Sequence, residues 1–247
     1  CYQPGRINRN LSPERHSFPL NGIPLTVGGR QCYLLVLPTD VAENLIWDDC
    51  CMRINGDLSP EQQFHLERLR RLKYRHLCEM FSSLEPPNIR SLDGEYDAEL
   101  LDQGGRTVSN ITRAIFCLSG PWTGKAFRPT SDTGGVGYNC YQYGNERISK
   151  LPMQTSIGVS RLDFKSSLVI KYRGLNPGII RWLVGELREL APTVIVGFGA
   201  FGPSNGPLRK LSRKIPFVLI GPRRTYEITS FRLHGEPNAA SKLNSAA

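Results

Sequence analysis

No apolar run in this chain approaches the roughly 18 residues that a membrane-spanning helix needs, so none is predicted. Histidine is scarce, with 4 among 247 residues. His76 and Cys78 are two apart on a predicted helix and point different ways. His65 adds no second ligand pair with zinc spacing, so no metal is expected. A Gly-x-Ser-x-Gly elbow and a phosphate-binding Walker loop are both missing, and neither a hydrolase nucleophile nor a triphosphate cradle is marked. The 7 cysteines (Cys1, Cys32, Cys50, Cys51, Cys78, Cys117, Cys140) follow no repeated spacing. A secreted disulfide framework would be more regular. Reduced thiols and an intracellular or organellar setting, plastid or mitochondrion, are therefore expected. The start at Cys1 rather than Met reads as a processed chain or a fragment.

What is present is globular composition and positive charge. Hydrophobic residues make up 40% and charged residues 21%, within the range of a folded domain. With Gly 24 and Pro 18, turns should be frequent and strands short. The net charge of +9 favours acidic partners. Residues 1–30 read as an extended N-terminal arm. Residues 92–224 read as a β domain and 225–247 as a flexible tail. Between arm and domain, residues 31–91 read as a strand plus a helical segment packing on the β domain.

Two amphipathic helices are predicted. Ser59-Pro60-Glu61-Gln62 offers a cap, a Pro at the first helical position and a Gln three after the cap. Leu66, Leu69, Leu72, Leu77, Met80 and Leu84 then recur at helical spacing, Phe64 and Phe81 widen the stripe, and Pro86-Pro87 stops it. The second helix is capped by Asn176 and opened by Pro177. Its stripe is Ile180, Leu183, Val184, Leu187 and Leu190. A shorter helix is expected over 40–47.

The strand candidates are 32–37, 92–100, 123–128, 137–143, 147–159, 167–173, 193–201 and 215–221. Leu151, Met153, Thr155, Ile157 and Val159 alternate, so one face is buried, and Pro152 should mark a bulge or edge. Gly134-Gly135, Gly144-Asn145 and residues 163–166 make hairpin-type connections. Eight antiparallel strands are enough to close a barrel with room for packed side chains or one small ligand. The fold class is therefore mainly β, an antiparallel meander with two helices.

Leu92-Asp93-Gly94-Glu95-Tyr96 opens this meander with Gly-x-Tyr. It resembles the Gly-x-Trp that opens the first strand in the lipocalin-like (calycin) families, over about residues 92–224. The resemblance implies a barrel cavity for a small apolar molecule such as a fatty acid, tetrapyrrole or carotenoid. It also implies an Arg beyond the last strand packing over the aromatic ring, a role for which Arg223 is placed. Pro121-Trp122-Thr123-Gly124-Lys125 is a second aromatic turn motif, with no counterpart in that family.

Other motifs have plainer readings. Gly197-Phe198-Gly199-Ala200-Phe201-Gly202 comes after an apolar run, as a dinucleotide fingerprint would. That chemistry needs a helix to start next, yet Pro203-Ser204-Asn205-Gly206-Pro207 comes there and the nearest acid is Glu227. The run reads instead as a strand whose glycines admit a close neighbour, and no nucleotide is expected. Glu95, Asp97 and Glu99 alternate on one strand face and read as solvated. Arg68, Arg71 and Arg75 form a basic helix stripe, and Arg209, Lys210, Arg213 and Lys214 a basic loop. Neither surface interleaves the aromatics that nucleic acid needs. An acidic protein surface or an anionic membrane surface is the expected partner.

The cavity candidates are Tyr96, Trp122, Tyr138, Met153, Thr155, Ile157, Leu168, Ile170, Tyr172 and Phe198, an apolar set with a few hydroxyls, as ligand pockets are. Three functional readings result. The first is a non-catalytic protein binding a small hydrophobic ligand, a lipid or pigment. The second is an accessory subunit docked by its basic surfaces on a larger organellar membrane complex. The third is an isomerase, cyclase or pigment lyase in which Tyr138, Tyr172 and Glu95 act as acids and bases.

Overall fold

Ser59 does cap a helix: its side chain accepts from the Gln62 amide at 3.2 Å, and the Ser59 amide donates to the Gln62 side chain at 3.0 Å. That helix, α1 (Pro60–Arg71), ends at Leu72, and a second one, α2 (Tyr74–Ser83), starts just beyond. The single long helix read from the sequence is thus two. Leu72 and Lys73 are extended, and the Tyr74 amide donates to Asp102 at 3.2 Å. The five-residue gap between Leu72 and Leu77 is the trace of this break, because continuous helical spacing would put three or four there. The computed structural model describes residues 22–27, 30–35, 53–54, 56–105, 121–201 and 214–227. The predicted helix over 40–47, most of the basic loop and most of the tail lie outside the described residues.

The chain divides into two units, Cys1–Leu45 and Ile46–Ala247. In the first, β1 (Gly22–Val27) and β2 (Arg30–Leu35) pair as an antiparallel hairpin. The apolar run marks only the second of these strands.

The second unit is built on a closed antiparallel barrel of eight strands. They are β3 (Gly94–Leu100), β4 (Trp122–Pro129), β5 (Gly134–Tyr143), β6 (Glu146–Val159), β7 (Ser166–Lys171), β8 (Leu183–Ala191), β9 (Val194–Phe201) and β10 (Ile215–Arg224). Each pairs with its sequence neighbour, and β10 closes on β3 through Phe217 opposite Leu100 and Leu219 opposite Ala98. The count of eight matches the sequence reading, but one member differs. The described part of the run 32–37, residues 32–35, belongs to β2 and not to the barrel, and the predicted second helix supplies β8 in its place. Only a short 3-10 turn, Gly178–Trp182, comes after Pro177. Leu, Glu and Arg favour a helix here by propensity. Pairing with β7 and β9 on both sides overrides that, since a strand at this position removes the last open edge.

Alternation sorts the core into two layers. Tyr96, Ala98, Met153, Leu168, Ile170, Leu187, Ile195, Phe217 and Leu219 cluster inside the barrel. Val194, Val196, Phe198, Val218 and Ile220 point outward and meet Leu66, Leu69, Leu77 and Phe81 of the helices. This explains why β9 and β10 are apolar on both faces. Each buried helix side chain contributes about 1.5–3 kcal/mol. Phe64 does not join them: it is 64% exposed. Arg188, fully buried, ties this layer to the β6–β7 turn by donating to the Phe81 carbonyl at 2.8 Å and to both Asp163 oxygens at 2.6 and 2.8 Å.

Candidate functional site

Two bulges determine what faces the barrel interior. Across β4 and β5, Trp122 pairs with Tyr141 but Gly124 pairs with Cys140, so β4 carries one extra residue. Strict alternation would put Trp122 and Lys125 on opposite faces. With the bulge, both turn inward, and Lys125 lies opposite Asn139. Gly124 is required at this point because a Cβ there would stand 2.0 Å from the Tyr96 carbonyl oxygen. A second bulge separates Met153 from Lys150 on β6 and takes up Pro152, as a Pro within a strand demands.

The result is a buried amine near the middle of an apolar barrel. Lys125 is 4% exposed. Its Nζ donates to Asn139 Oδ1 at 2.5 Å and to Tyr172 Oη at 2.7 Å, and the Tyr172 hydroxyl donates to Asn139 Oδ1 at 3.1 Å. The rings of Trp122, Tyr172 and Phe217 surround Nζ with centroids at 5.3, 5.4 and 5.7 Å. Trp122 and Phe217 also meet edge to face, 5.6 Å apart. Among the described residues no carboxylate stands within ion-pair distance of Nζ. Burial lowers the Lys125 pKa to about 7. Burial likewise pushes the Tyr172 and Tyr141 hydroxyls far above their ordinary range. The amine can therefore exchange its proton near neutrality, beside phenols that stay protonated.

Of the ten cavity candidates, Tyr96, Trp122, Met153, Leu168, Ile170 and Tyr172 belong to the interior cluster. Thr155 and Ile157 pair with Ile170 and Leu168 across β6 and β7; Thr155 is buried, but Ile157 is exposed at 40% and does not line the interior. Tyr138 and Phe198 do not face the interior. Phe198 lies under α2 against the Phe81 ring, 4.9 Å away. Tyr138 belongs to a small outer cluster with Ala126 and Cys140, where Tyr226 covers it. No member of the interior cluster is more than 6% exposed. These described side chains therefore pack closely against one another. A recess of about 270 Å³ lies beside the β4–β5 turn and includes Thr130, Ser131, Thr155 and Lys171.

The acidic face of β3 is not solvated. Glu95 and Glu99 are buried because arginines cover them. Arg147 lies 2.9 Å from Glu95, and Arg224 and Arg223 approach Asp97 at 2.8 and 3.6 Å. Arg70 of α1 makes two bonds of 2.8 Å to Glu99, which also accepts from the Ile54 amide at 2.9 Å. The Tyr138 hydroxyl donates to Glu95 at 2.9 Å. Glu95 and Tyr138 thus meet on the outer face while Tyr172 lies inside, and the three do not form one acid–base site. Arg223 is turned to Asp97 and to the Asp57 carbonyl, so the arginine-over-ring contact with Tyr96 implied by the resemblance is not made.

The basic stripe is exposed, but two of its members are paired within their own helices. Arg71 approaches Glu67 at 3.9 Å, and Arg75 lies 2.8 Å from Glu79. Arg68 is exposed on α1. Arg209, Lys210 and Arg213 lie outside the described residues, and Lys214 precedes β10.

No family model and no curated protein matches this chain. Among solved structures it is similar to the crystal structure of a protein from Thermomonospora curvata, at 14% identity and a TM-score of 0.44, over 65% of this chain and 96% of that one. A likeness this slight transfers neither family nor function. Lys125 is the residue that sequence reasoning missed. Its signal was the Trp122-Thr123-Gly124-Lys125 motif, whose glycine marks the bulge.

Proposed function

We propose that this chain is a non-catalytic binding protein of the lipocalin-like (calycin) kind that holds a small hydrophobic molecule (a lipid, carotenoid or tetrapyrrole) in its barrel. The observation that carries this reading is Lys125. A barrel built only for stability gains nothing from an amine buried without a counter-charge, since taking such a group out of water costs several kcal/mol. Ligand sites, in contrast, combine apolar walls with a few convergent polar groups. The closed meander and the Gly94-x-Tyr96 opening of its first strand support the same class. Because the interior side chains fill their space, the ligand enters by displacing them, with Trp122 and Phe217 the large rings beside the amine. Delipidated protein titrated with decanoic acid, β-carotene and biliverdin should change in tryptophan fluorescence and gain thermal stability by mass action. No response to any of the three removes the proposal.

The dense interior favours a second reading, an accessory subunit of a larger complex. On that reading the barrel is a rigid support, and Arg68, Arg71, Arg75 and Lys214 belong to surfaces that meet an acidic partner or anionic membrane, for example in an organelle. Native mass spectrometry of the protein from its own source separates the two readings. A retained small molecule supports the first and a stable protein complex the second.

A further inference from the structure

We propose that the Lys125 amine binds its ligand covalently and reversibly, as an imine with an aldehyde or ketone group of a hydrophobic molecule. This inference rests on the binding-protein reading and names the ligand class. It starts from the hydrogen-bond inventory at Nζ. An ammonium carries three donors and a neutral amine only two. Two acceptors are provided, Asn139 Oδ1 and Tyr172 Oη, so both N–H groups of a neutral amine are used and its lone pair is left. The rings of Trp122 and Phe217 lie near Nζ, with centroids at 5.3 and 5.7 Å, and offer it no further acceptor oxygen. No carboxylate among the described residues holds the group as a cation, and desolvated lysines of this kind are the ones that form Schiff bases.

The chemistry balances without any co-reactant. The lone pair attacks the carbonyl carbon and forms the C–N bond. The carbonyl oxygen takes up two protons, equal in number to those the amine loses, and leaves as water. The Tyr172 hydroxyl, 2.7 Å from Nζ, can relay a proton to that oxygen: it takes one up from the amine as it passes its own on, and stays neutral throughout. Nothing is oxidised or reduced, and hydrolysis reverses the step. A ligand carboxylate would instead pair with the ammonium form, which is a distinct and testable outcome.

The experiment uses the full chain, delipidated, with decanal as the probe at pH 7, followed by borohydride reduction and peptide mapping. An ordinary surface lysine presents about one amine in a few thousand at this pH, whereas a group with a pKa near 7 presents about half. The expected result is one secondary-amine adduct on the peptide containing Lys125, more than about ten-fold above any other lysine. It should be absent from Lys125→Met. Mapping of the unaltered protein decides the point even where the variant folds poorly. Should decanal shift the tryptophan fluorescence while reduction labels only other lysines, the imine is overturned and the binding reading stands. Decanoic acid bound through Lys125 with no adduct from decanal has the same meaning. Should decanal, decanoic acid, β-carotene and biliverdin all leave fluorescence and native mass unchanged, both inferences fall.

Discussion

A Cβ at Gly197 would stand 2.2 Å from Phe217 Cζ and 2.8 Å from Leu187 Cδ2. The absence of a side chain on β9 is what lets the Phe217 ring lie across the barrel, against Trp122 and within 5.7 Å of the Lys125 amine. Gly197→Ala therefore overpacks a filled interior and should cost about 1–3 kcal/mol, read as a lower urea midpoint. Gly199 has ordinary contact distances, with its closest neighbours at 3.9 Å. Gly199→Ala should cost less than Gly197→Ala, and equal losses would show that Phe217 is not the reason for the glycine.

Lys125 should make stability depend on pH. Its folded pKa, about 7, lies below the ordinary lysine value near 10.4. Between these limits the unfolded chain binds more protons, so stability rises with pH across this window. The cost of the buried amine is largest below pH 7, where it is on the order of 5 kcal/mol, and fades as pH approaches 10. Lys125→Met keeps the unbranched stem, one atom shorter, and removes the charge. Urea melts of both proteins between pH 6 and 9.5 should give a stability difference in favour of the variant that shrinks as pH rises. A constant difference would mean that Lys125 is not a titrating buried amine.

Much of the fold is legible in the sequence, because strand alternation survives wherever one face is buried. Met153 and Thr155 show this, although the same face of β6 opens to solvent at Ile157 and Val159, and the two-faced apolarity of β9 and β10 marks a second layer. Two failures have physical causes. Leu183, Leu187 and Leu190 fit a helix by spacing and propensity, and only the need to close the barrel makes them part of a strand. Tyr138 and Phe198 count as inward in the sequence because an aromatic ring on a strand says nothing about which face it occupies. The site itself is hidden by the bulge at Trp122–Gly124: counted by twos, Lys125 falls on the outside. The buried acids of β3 are hidden differently, since their arginines come from β6, β10 and α1 and no local pattern pairs them.

Arg188 and Asp163 form a buried pair sensitive to removal of one partner. Arg188 is fully buried and binds Asp163 through two hydrogen bonds. Asp163→Asn leaves a guanidinium without its counter-charge and should cost about 3–5 kcal/mol. Burial opposes the charge on Asp163, but the Arg188 hydrogen bonds and charge, the Lys165 amide and Ser82 together outweigh it and hold its pKa well below the usual carboxylate range. Its stabilisation is thus complete above the ordinary aspartate value, near pH 4, and is lost as pH falls toward the depressed one. The measurement is the urea midpoint, monitored by circular dichroism, as pH is lowered from 4. The unaltered protein should lose stability steeply there, and Asp163→Asn should flatten the slope. An unchanged slope would mean that other carboxylates govern acid unfolding.

Glu95 and Arg147 decide whether the acidic face of β3 is structural or chemical. Glu95 is almost fully buried, lies 2.9 Å from Arg147 and accepts from Tyr138. Removing Arg147 strands a buried carboxylate, so Arg147→Met should cost about 3–5 kcal/mol. Removing both charges, in Arg147→Met with Glu95→Gln, should cost less than the sum of the single changes, with a coupling of about 0.5–3 kcal/mol in a double-mutant cycle. Because this pair lies on the outer face, a stabilised Glu95→Gln protein should bind decanoic acid or decanal with unchanged affinity. A loss of binding without a loss of folding would move the functional site from the barrel interior to its wall.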